Sequence, residues 1–197
     1  MEIERIFVVG AGTMGSGIAQ TAAVSGYQAT LMDVLPEQLQ RAEKGIAKSV
    51  AKLFSKGVID EQQAAAAGHI NFVGDYSTLS QADYVVEAAT ENPDMKLEIF
   101  AELDRIAKPD VILASNTSSI SLTKIAAATG RPEKVIGMHF FNPVPLMRLV
   151  EIIRGMATAN ETAATAMELS RKMGKEPIEA NDAPGFISNR IPVSYTH

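Results

Sequence analysis

Apolar and polar residues alternate along the chain in a pattern that predicts strands and helices in turn. Short apolar runs bounded by glycine or polar residues are typical of buried strands, and they occur at 3–9, 28–32, 84–86, 111–114, 135–140 and 149–153. Apolar residues spaced three and four apart predict helices at 13–25, 36–56, 61–67, about 95–107 and 160–173. We expect Asn160 to cap the last helix and Gly174 to end it. This alternation predicts an α/β fold, a doubly wound, mostly parallel sheet with flanking helices.

The composition narrows the class of protein. Hydrophobic residues make up 46% of 197 residues, enough for a core, and the net charge of −5 argues against a nucleic-acid partner. The chain has no cysteine, which excludes a disulfide framework and thiolate metal ligands, and we expect no metal. The N-terminus lacks the layout of a signal peptide, and no apolar run reaches membrane length. We therefore expect a cytoplasmic protein without a membrane partner.

A glycine-rich motif, G-A-G-T-M-G, directly follows the first predicted strand and opens the first helix. The pattern G-x-G-x-x-G is weak alone, but this position is that of the Rossmann-type dinucleotide turn. Gly10 permits the tight turn, Gly12 lets a pyrophosphate approach the backbone, and Gly15 allows close packing of helix on sheet. Thr13 and Met14 begin the helix, whose N-terminus offers N–H donors to the phosphates.

Asp33 closes the second predicted strand, 18 residues beyond Gly15. A carboxylate there accepts hydrogen bonds from ribose hydroxyls and repels a 2′-phosphate. Val34 and Leu35 follow it, so no adjacent arginine is available to bind that phosphate. The sequence therefore predicts NAD, and not NADP, as the cofactor. The alternative interpretation of Asp33 is an exposed carboxylate at a strand end.

His139 is the candidate acid or base among the three histidines. It lies near the end of a predicted strand, before a turn set by Pro143, and catalytic groups gather at the carboxyl ends of parallel strands. A lone histidine on a strand is more often a core residue than a base. Of the other two, we expect His69 to open a short strand-like segment and to lie at the surface, and His197 lies in the final segment.

Several segments together resemble the 3-hydroxyacyl-CoA dehydrogenase family, and among its members the short bacterial enzymes acting on 3-hydroxybutyryl-CoA. They are G-A-G-T-M-G at 10–15, S-N-T-S-S at 115–119, M-H-F-F-N-P at 138–143, Glu151, and P-G-F-I-S-N-R at 184–190. The resemblance runs from residue 3 to about 191. It implies an oxidoreductase of fatty-acid or butyrate metabolism that moves a hydride between NAD(H) and C3 of a 3-hydroxyacyl-CoA or 3-oxoacyl-CoA.

The resemblance also implies catalytic roles. His139 would be the base that takes the hydroxyl proton, and Glu151 the carboxylate that orients it and stabilises the imidazolium. Ser118 and Asn189 would contact the substrate oxygen or hold the reacting groups in place. The alternatives are structural: Glu151 as an exposed strand residue, Ser118 as a helix cap, and Asn189 as a residue on a helix surface.

Three further positions match cofactor contacts of the family: Glu91, Lys96 and Asn142. The cofactor carries the redox chemistry, and the protein supplies position and electrostatics.

Four lysines recur every four residues in the second predicted helix: Lys44, Lys48, Lys52 and Lys56. On a helix they form one basic stripe, which is either a solvated face or a binding surface for the phosphates of coenzyme A. The resemblance favours the second interpretation for Lys52 and Lys56.

The domain organisation expected from the resemblance is an NAD-binding domain at 1–184, followed at 185–197 by the start of a helical domain that is otherwise missing. The last six residues contain a proline, do not suit a helix, and are expected to be a non-native tail. In the family the helical domain closes the cleft and forms a homodimer. Two alternative functions stay open: another β-hydroxyacid dehydrogenase, which would use a lysine, and a non-catalytic NAD-binding or crystallin-like relative.

Overall fold

The computed structural model describes residues 2–182, which form eight strands and six α-helices. The strands are β1 (Arg5–Val9), β2 (Gln28–Met32), β3 (Asn71–Val73), β4 (Tyr84–Glu87), β5 (Ile112–Ser115), β6 (Val135–Phe140), β7 (Leu149–Arg154) and β8 (Glu176–Asn181). The helices are α1 (Thr13–Val24), α2 (Pro36–Ser55), α3 (Glu61–Ala67), α4 (Pro93–Ile106), α5 (Leu122–Ala126) and α6 (Asn160–Lys172). Single 3₁₀ turns lie at Leu79–Gln81 and Pro132–Lys134.

All eight strands form one sheet in the order β3-β2-β1-β4-β5-β6-β7-β8. The first six in the chain are mutually parallel, β7 runs antiparallel to β6, and β8 is parallel to β7. The prediction of a doubly wound, mostly parallel sheet is therefore confirmed.

The core has two halves, one on each face of the sheet. Successive residues of a strand point to opposite faces, and β1 shows this directly. Ile6 and Val8 pack in one hydrophobic cluster with residues of α1 and α6, whereas Phe7 and Val9 pack in another with residues of α4 and α5. The inner strands, such as β1, β4 and β5, are thus buried on both sides, which explains why they are continuous apolar runs in the sequence.

Two elements were missed from the sequence, one helix cap was wrong, and one helix begins earlier than predicted. β8 and α5 were not predicted. Asn160 does not cap α6: it is the first helical residue, and its Oδ1 accepts a hydrogen bond from Arg154 at 2.6 Å. α4 begins at Pro93, before the expected Met95, because the Asn92 side chain accepts from the Met95 backbone N–H and the proline fits the first helical position.

The predicted start of a second domain, the role of Asn189 and the final six residues lie outside the described residues. Within 2–182, no helix is both long enough and apolar enough to cross a membrane. The same residues contain no cluster of three or more histidine, aspartate and glutamate side chains that could hold a metal ion.

Candidate active site

The turn between β1 and α1 has the close packing that requires its glycines. Gly10 has a φ of +96°, in the left-handed region that favours glycine, and a Cβ there would lie 2.5 Å from the Cα of Ala89. A Cβ on Gly15 would lie 1.7 Å from the carbonyl oxygen of Gly10, so another residue would push α1 away from the turn. A Cβ on Gly12 would meet nothing within 4 Å. The turn therefore leaves open space at the N-terminus of α1, where an anion would be stabilised.

Asp33 lies beside this turn. Its carboxylate accepts hydrogen bonds from the backbone N–H groups of Ala11, at 2.7 Å, and Leu35, at 3.0 Å. The side chain is half-buried, so the alternative of a freely exposed strand-end carboxylate does not describe it. Thr13 is exposed and Met14 half-buried in the first turn of α1, on the approach to the same space.

The turn also lies where the strand order reverses. The neighbours of β1 are β2, reached through α1, and β4. The crevice therefore opens between the carboxyl ends of β1 and β4, which is where open α/β sheets bind their ligands. Asp33 lies on the β2 side of this crevice, whereas the loops after β4 and β5 and the end of β6 lie on the other.

His139 and Glu151 face each other across the antiparallel pair of β6 and β7. The ring Nδ1 of His139 lies 2.7 Å from Oε2 of Glu151. The Glu151 side chain is fully buried and that of His139 is 13% exposed. A buried carboxylate in this position orients the imidazole and stabilises its charged form. Glu151 is therefore not an exposed strand residue, and the pair has the geometry of a base with its supporting carboxylate.

Glu91 joins the loop after β4 to the loop after β5. One carboxylate oxygen accepts from the hydroxyl of Thr117 at 2.8 Å, and the other accepts from the backbone N–H of Ser118 at 3.2 Å. Ser118 is half-buried in this loop and does not cap a helix, because the cap of α5 is Ser121. The structure thus brings two of the predicted site residues, Glu91 and Ser118, into direct contact.

Lys96 lies beneath these loops and not at the surface of the crevice. Only 1% of it is exposed, and its Nζ lies 2.5 Å from Oε2 of Glu87 and 3.4 Å from the hydroxyl of Ser115. Its predicted contact with the cofactor stays a prediction, and its observed contacts are with the protein.

The basic stripe borders an apolar groove. All four of its lysines are exposed. A cavity of about 390 Å³ beside the glycine turn includes Gly12 and Asn142 in its lining. It adjoins a groove of about 530 Å³ whose apolar wall includes Leu53, Val58, Pro145 and Leu146. Its basic rim consists of Lys48, Lys52 and Lys56. Lysines and the loop after β6 therefore line one continuous path that leads to the turn.

Comparison with known proteins agrees with this geometry. A sequence model of the family described as "3-hydroxyacyl-CoA dehydrogenase, NAD binding domain" matches residues 5–183. The chain belongs to the 3-hydroxyacyl-CoA dehydrogenase family. It is 52% identical over 194 residues to a probable 3-hydroxybutyryl-CoA dehydrogenase of Bacillus subtilis, and 50% identical over 184 residues to one of Deinococcus radiodurans. A crystal structure of (S)-3-hydroxybutyryl-CoA dehydrogenase from Ralstonia eutropha is 46% identical, with a TM-score of 0.93.

These relatives are longer than the chain. The match covers 97% of this chain but 67% of the Bacillus protein, and 93% of this chain but 66% of the Deinococcus protein. For the Ralstonia structure the shares are 96% and 68%. The chain thus spans about two thirds of the length of these members of the 3-hydroxyacyl-CoA dehydrogenase family, in the part that binds NAD. The predictions of the family, the Rossmann-type fold, the NAD cofactor and an NAD-dependent dehydrogenase are confirmed.

Two residues of this NAD-binding domain were not recognised as site residues from the sequence. Asn116 is buried, and its Oδ1 accepts from the backbone N–H of Phe140 at 2.9 Å, which ties the loop after β5 to the residue after His139. Glu87 is fully buried at the end of β4. The sequence did carry a signal for each: Glu87 is a carboxylate that ends an otherwise apolar strand, and Asn116 is an amide that directly follows the next strand.

Proposed function

We propose that this chain provides the NAD site and the proton-transferring pair of an enzyme that interconverts 3-hydroxyacyl-CoA and 3-oxoacyl-CoA, such as 3-hydroxybutyryl-CoA and acetoacetyl-CoA. The observation that carries the proposal is the His139–Glu151 pair, 2.7 Å apart, near the carboxyl end of β6 in the sheet that carries the dinucleotide turn. The names of the relatives support the same class of substrate.

The residues of the crevice fit NAD. The open space in front of Gly12 and the N-terminus of α1 suit a pyrophosphate, and the carboxylate of Asp33 suits a ribose with free hydroxyls. We assign Gly10, Gly15, Thr13 and Met14 to the same cradle. When bound, NAD supplies the hydride acceptor, and NADH the hydride donor. Glu91, Lys96 and Asn142 are proposed to contact or support its nicotinamide side.

The protein's own contribution is to move a proton and to place the substrate. His139 takes the proton of the C3 hydroxyl during oxidation and returns it to the ketone during reduction. Glu151 is held fully buried opposite the ring, so it stabilises the imidazolium formed in between. Ser118 and Asn189 are proposed to bind the reacting oxygen or to hold these groups in place.

The groove along α2 is proposed to bind coenzyme A. Its apolar wall suits the pantetheine arm, and Lys52 and Lys56 on its rim suit the phosphates. Pro143 lines both cavities, so an extended arm that lies in the groove would lead past Asn142 toward the crevice.

Further proposals concern the whole protein. We propose that it acts in the cytoplasm, that the complete enzyme is a homodimer, and that it has no nucleic-acid partner, which the net charge of −5 supports. The division into an NAD-binding domain at 1–184 and the start of a second domain at 185–197 also remains a proposal.

The test is the oxidation of NADH by acetoacetyl-CoA, followed by the loss of NADH absorbance. It is run on this chain alone and on this chain joined to the C-terminal third of the Bacillus subtilis relative. In the joined protein, His139→Gln should lower kcat by about a hundredfold or more, the range of a lost general base, and leave NADH affinity nearly unchanged. His69→Gln is the matched control, since His69 is exposed and precedes β3 at the opposite edge of the sheet.

Retention of most activity by His139→Gln would rule out the proposed base. Binding of NADH without turnover by the unsubstituted joined protein would favour the non-catalytic alternative.

A further inference from the structure

Glu87 is a buried carboxylate with an unusually complete set of partners. It ends β4, and its side chain is fully buried. Oε1 accepts from the backbone N–H of Ala89 at 2.9 Å, and Oε2 accepts from Lys96 Nζ at 2.5 Å and from the hydroxyl of Ser115 at 2.9 Å. Lys96 is equally buried. Because buried ion pairs are often no more stabilising than apolar side chains of the same size, stability alone does not explain this pair.

The partners of Glu87 belong to three different elements. Ala89 is in the loop after β4, Ser115 ends β5, and Lys96 lies in α4. The hydroxyl of Ser115 in turn accepts from the backbone N–H of Thr117 at 3.3 Å. One carboxylate therefore fixes the beginning of both loops, which meet again further out through Glu91.

These loops lie on the side of the crevice away from Asp33 and next to β6. The strand order places β4 and β5 between β1 and β6, which carries His139. If the ribose that Asp33 binds belongs to the adenosine half of NAD, the half that reacts near His139 must pass over the loops after β4 and β5.

We propose that Glu87 is a positioning residue for the nicotinamide half of NAD, acting through the two loops that its hydrogen bonds hold. The inference rests on the proposed NAD role of the crevice. It assigns to Glu87 no contact with the cofactor, and it gives the buried Lys96 a second task, as the hydrogen-bond donor that holds the Glu87 carboxylate in place.

The test compares two ligands of the 197-residue chain, NADH and ADP, which shares only the adenosine diphosphate half. The chain contains no tryptophan, so NADH binding is followed by its own emission and ADP binding by calorimetry. Glu87→Gln should lower the affinity for NADH about tenfold, because that is roughly the effect of losing one hydrogen bond to a charged group. The affinity for ADP should fall by less than about twofold. Ser115→Ala removes no charge, so it keeps the test available if Glu87→Gln does not fold, and it should weaken NADH in the same selective way.

Asp83→Asn is the matched control. Asp83 precedes β4 at its other end, is also buried, and accepts hydrogen bonds from Arg5 and Lys108. Its loss should lower the melting temperature and leave the affinity for both ligands unchanged at temperatures where the variant is folded.

Equal loss of NADH and ADP affinity in Glu87→Gln, or unchanged NADH affinity in folded Glu87→Gln or Ser115→Ala, would overturn the inference. If the unsubstituted chain binds neither NADH nor ADP, the proposed function on which the inference rests is overturned instead.

Discussion

Lys175 is a buried cation, and its burial should make the free energy of unfolding depend on pH. It is 7% exposed, and its Nζ donates to the backbone carbonyls of Val144, at 2.5 Å, and Met147, at 2.9 Å. These carbonyls belong to the loop between β6 and β7, which carries Asn142 and the wall of the groove. Burial lowers the pKa of Lys175 from an ordinary 10.5 to about 8.

The sign of the effect follows from proton counting. Between about pH 8 and pH 10.5 the folded protein has released the proton of Lys175, whereas the unfolded chain still binds it. The free energy of unfolding therefore rises with pH in this window. The difference between 10.5 and about 8 corresponds to about 3 kcal/mol, at about 1.4 kcal/mol for each pH unit. Below about pH 8 both states keep the proton, and the contribution is constant.

Urea unfolding followed by circular dichroism, from about pH 7 to about pH 10, measures this gain. Lys175→Met removes the titrating group, so the free energy of unfolding of the parent, relative to this variant, should rise by about 2–3 kcal/mol across the series. Lys172→Met is the control. Lys172 is exposed and its hydrogen bond with Glu168 raises its pKa, so its contribution is lost only as pH rises above its ordinary range. Parallel curves for the parent and Lys175→Met would refute the reasoning.

Three further predictions concern the cofactor and substrate sites. Asp33→Ala should lower the affinity for NADH and reduce the preference for NADH over NADPH, both measured by the emission of the reduced cofactor. Equal affinity of the parent for both cofactors would contradict the assignment. Lys52→Ala with Lys56→Ala should raise KM for acetoacetyl-CoA in the joined protein, less so at high salt, because exposed charges are screened within about 8–10 Å. Lys44→Ala, on the same helix but outside the groove lining, should leave KM unchanged, and an equal effect would reduce the stripe to a solvated face. Gly15→Ala places a Cβ 1.7 Å from a carbonyl oxygen, so it should abolish NADH binding and lower the melting temperature; normal binding would show that the turn can move.

The elements that could be predicted from the sequence are those whose signal is local. β1 is an apolar run buried on both faces, and the glycine turn with Asp33 spans a short stretch of chain, so pattern and spacing suffice. β8 has no such signal. Its sequence E-P-I-E-A-N contains a proline and has mostly exposed positions, and it becomes a strand because β7 pairs with all six of its residues.

α5 was missed for a related reason. It has five residues, too few to show a helical period, and its start depends on a distant partner. The carboxylate of Asp182 accepts hydrogen bonds from the hydroxyl of Ser121 and from the backbone N–H of Thr123, at 2.7 and 2.8 Å. Only the folded sheet brings these residues together, about sixty positions apart in the chain.

The candidate site also has a part that is local in the sequence and a part that depends on the folded sheet. Motifs identified His139 and Glu151, but their hydrogen bond depends on the reversal of chain direction at β7. Directly opposed residues in an antiparallel pair have neighbouring side chains, and a short loop is enough to connect the strands. A parallel β7 would need a crossover connection, and the loop that now carries Asn142 and the groove wall would not exist. The change from parallel to antiparallel pairing therefore does two things at once: it places the carboxylate behind the imidazole, and it puts the connecting loop between the crevice and the basic groove.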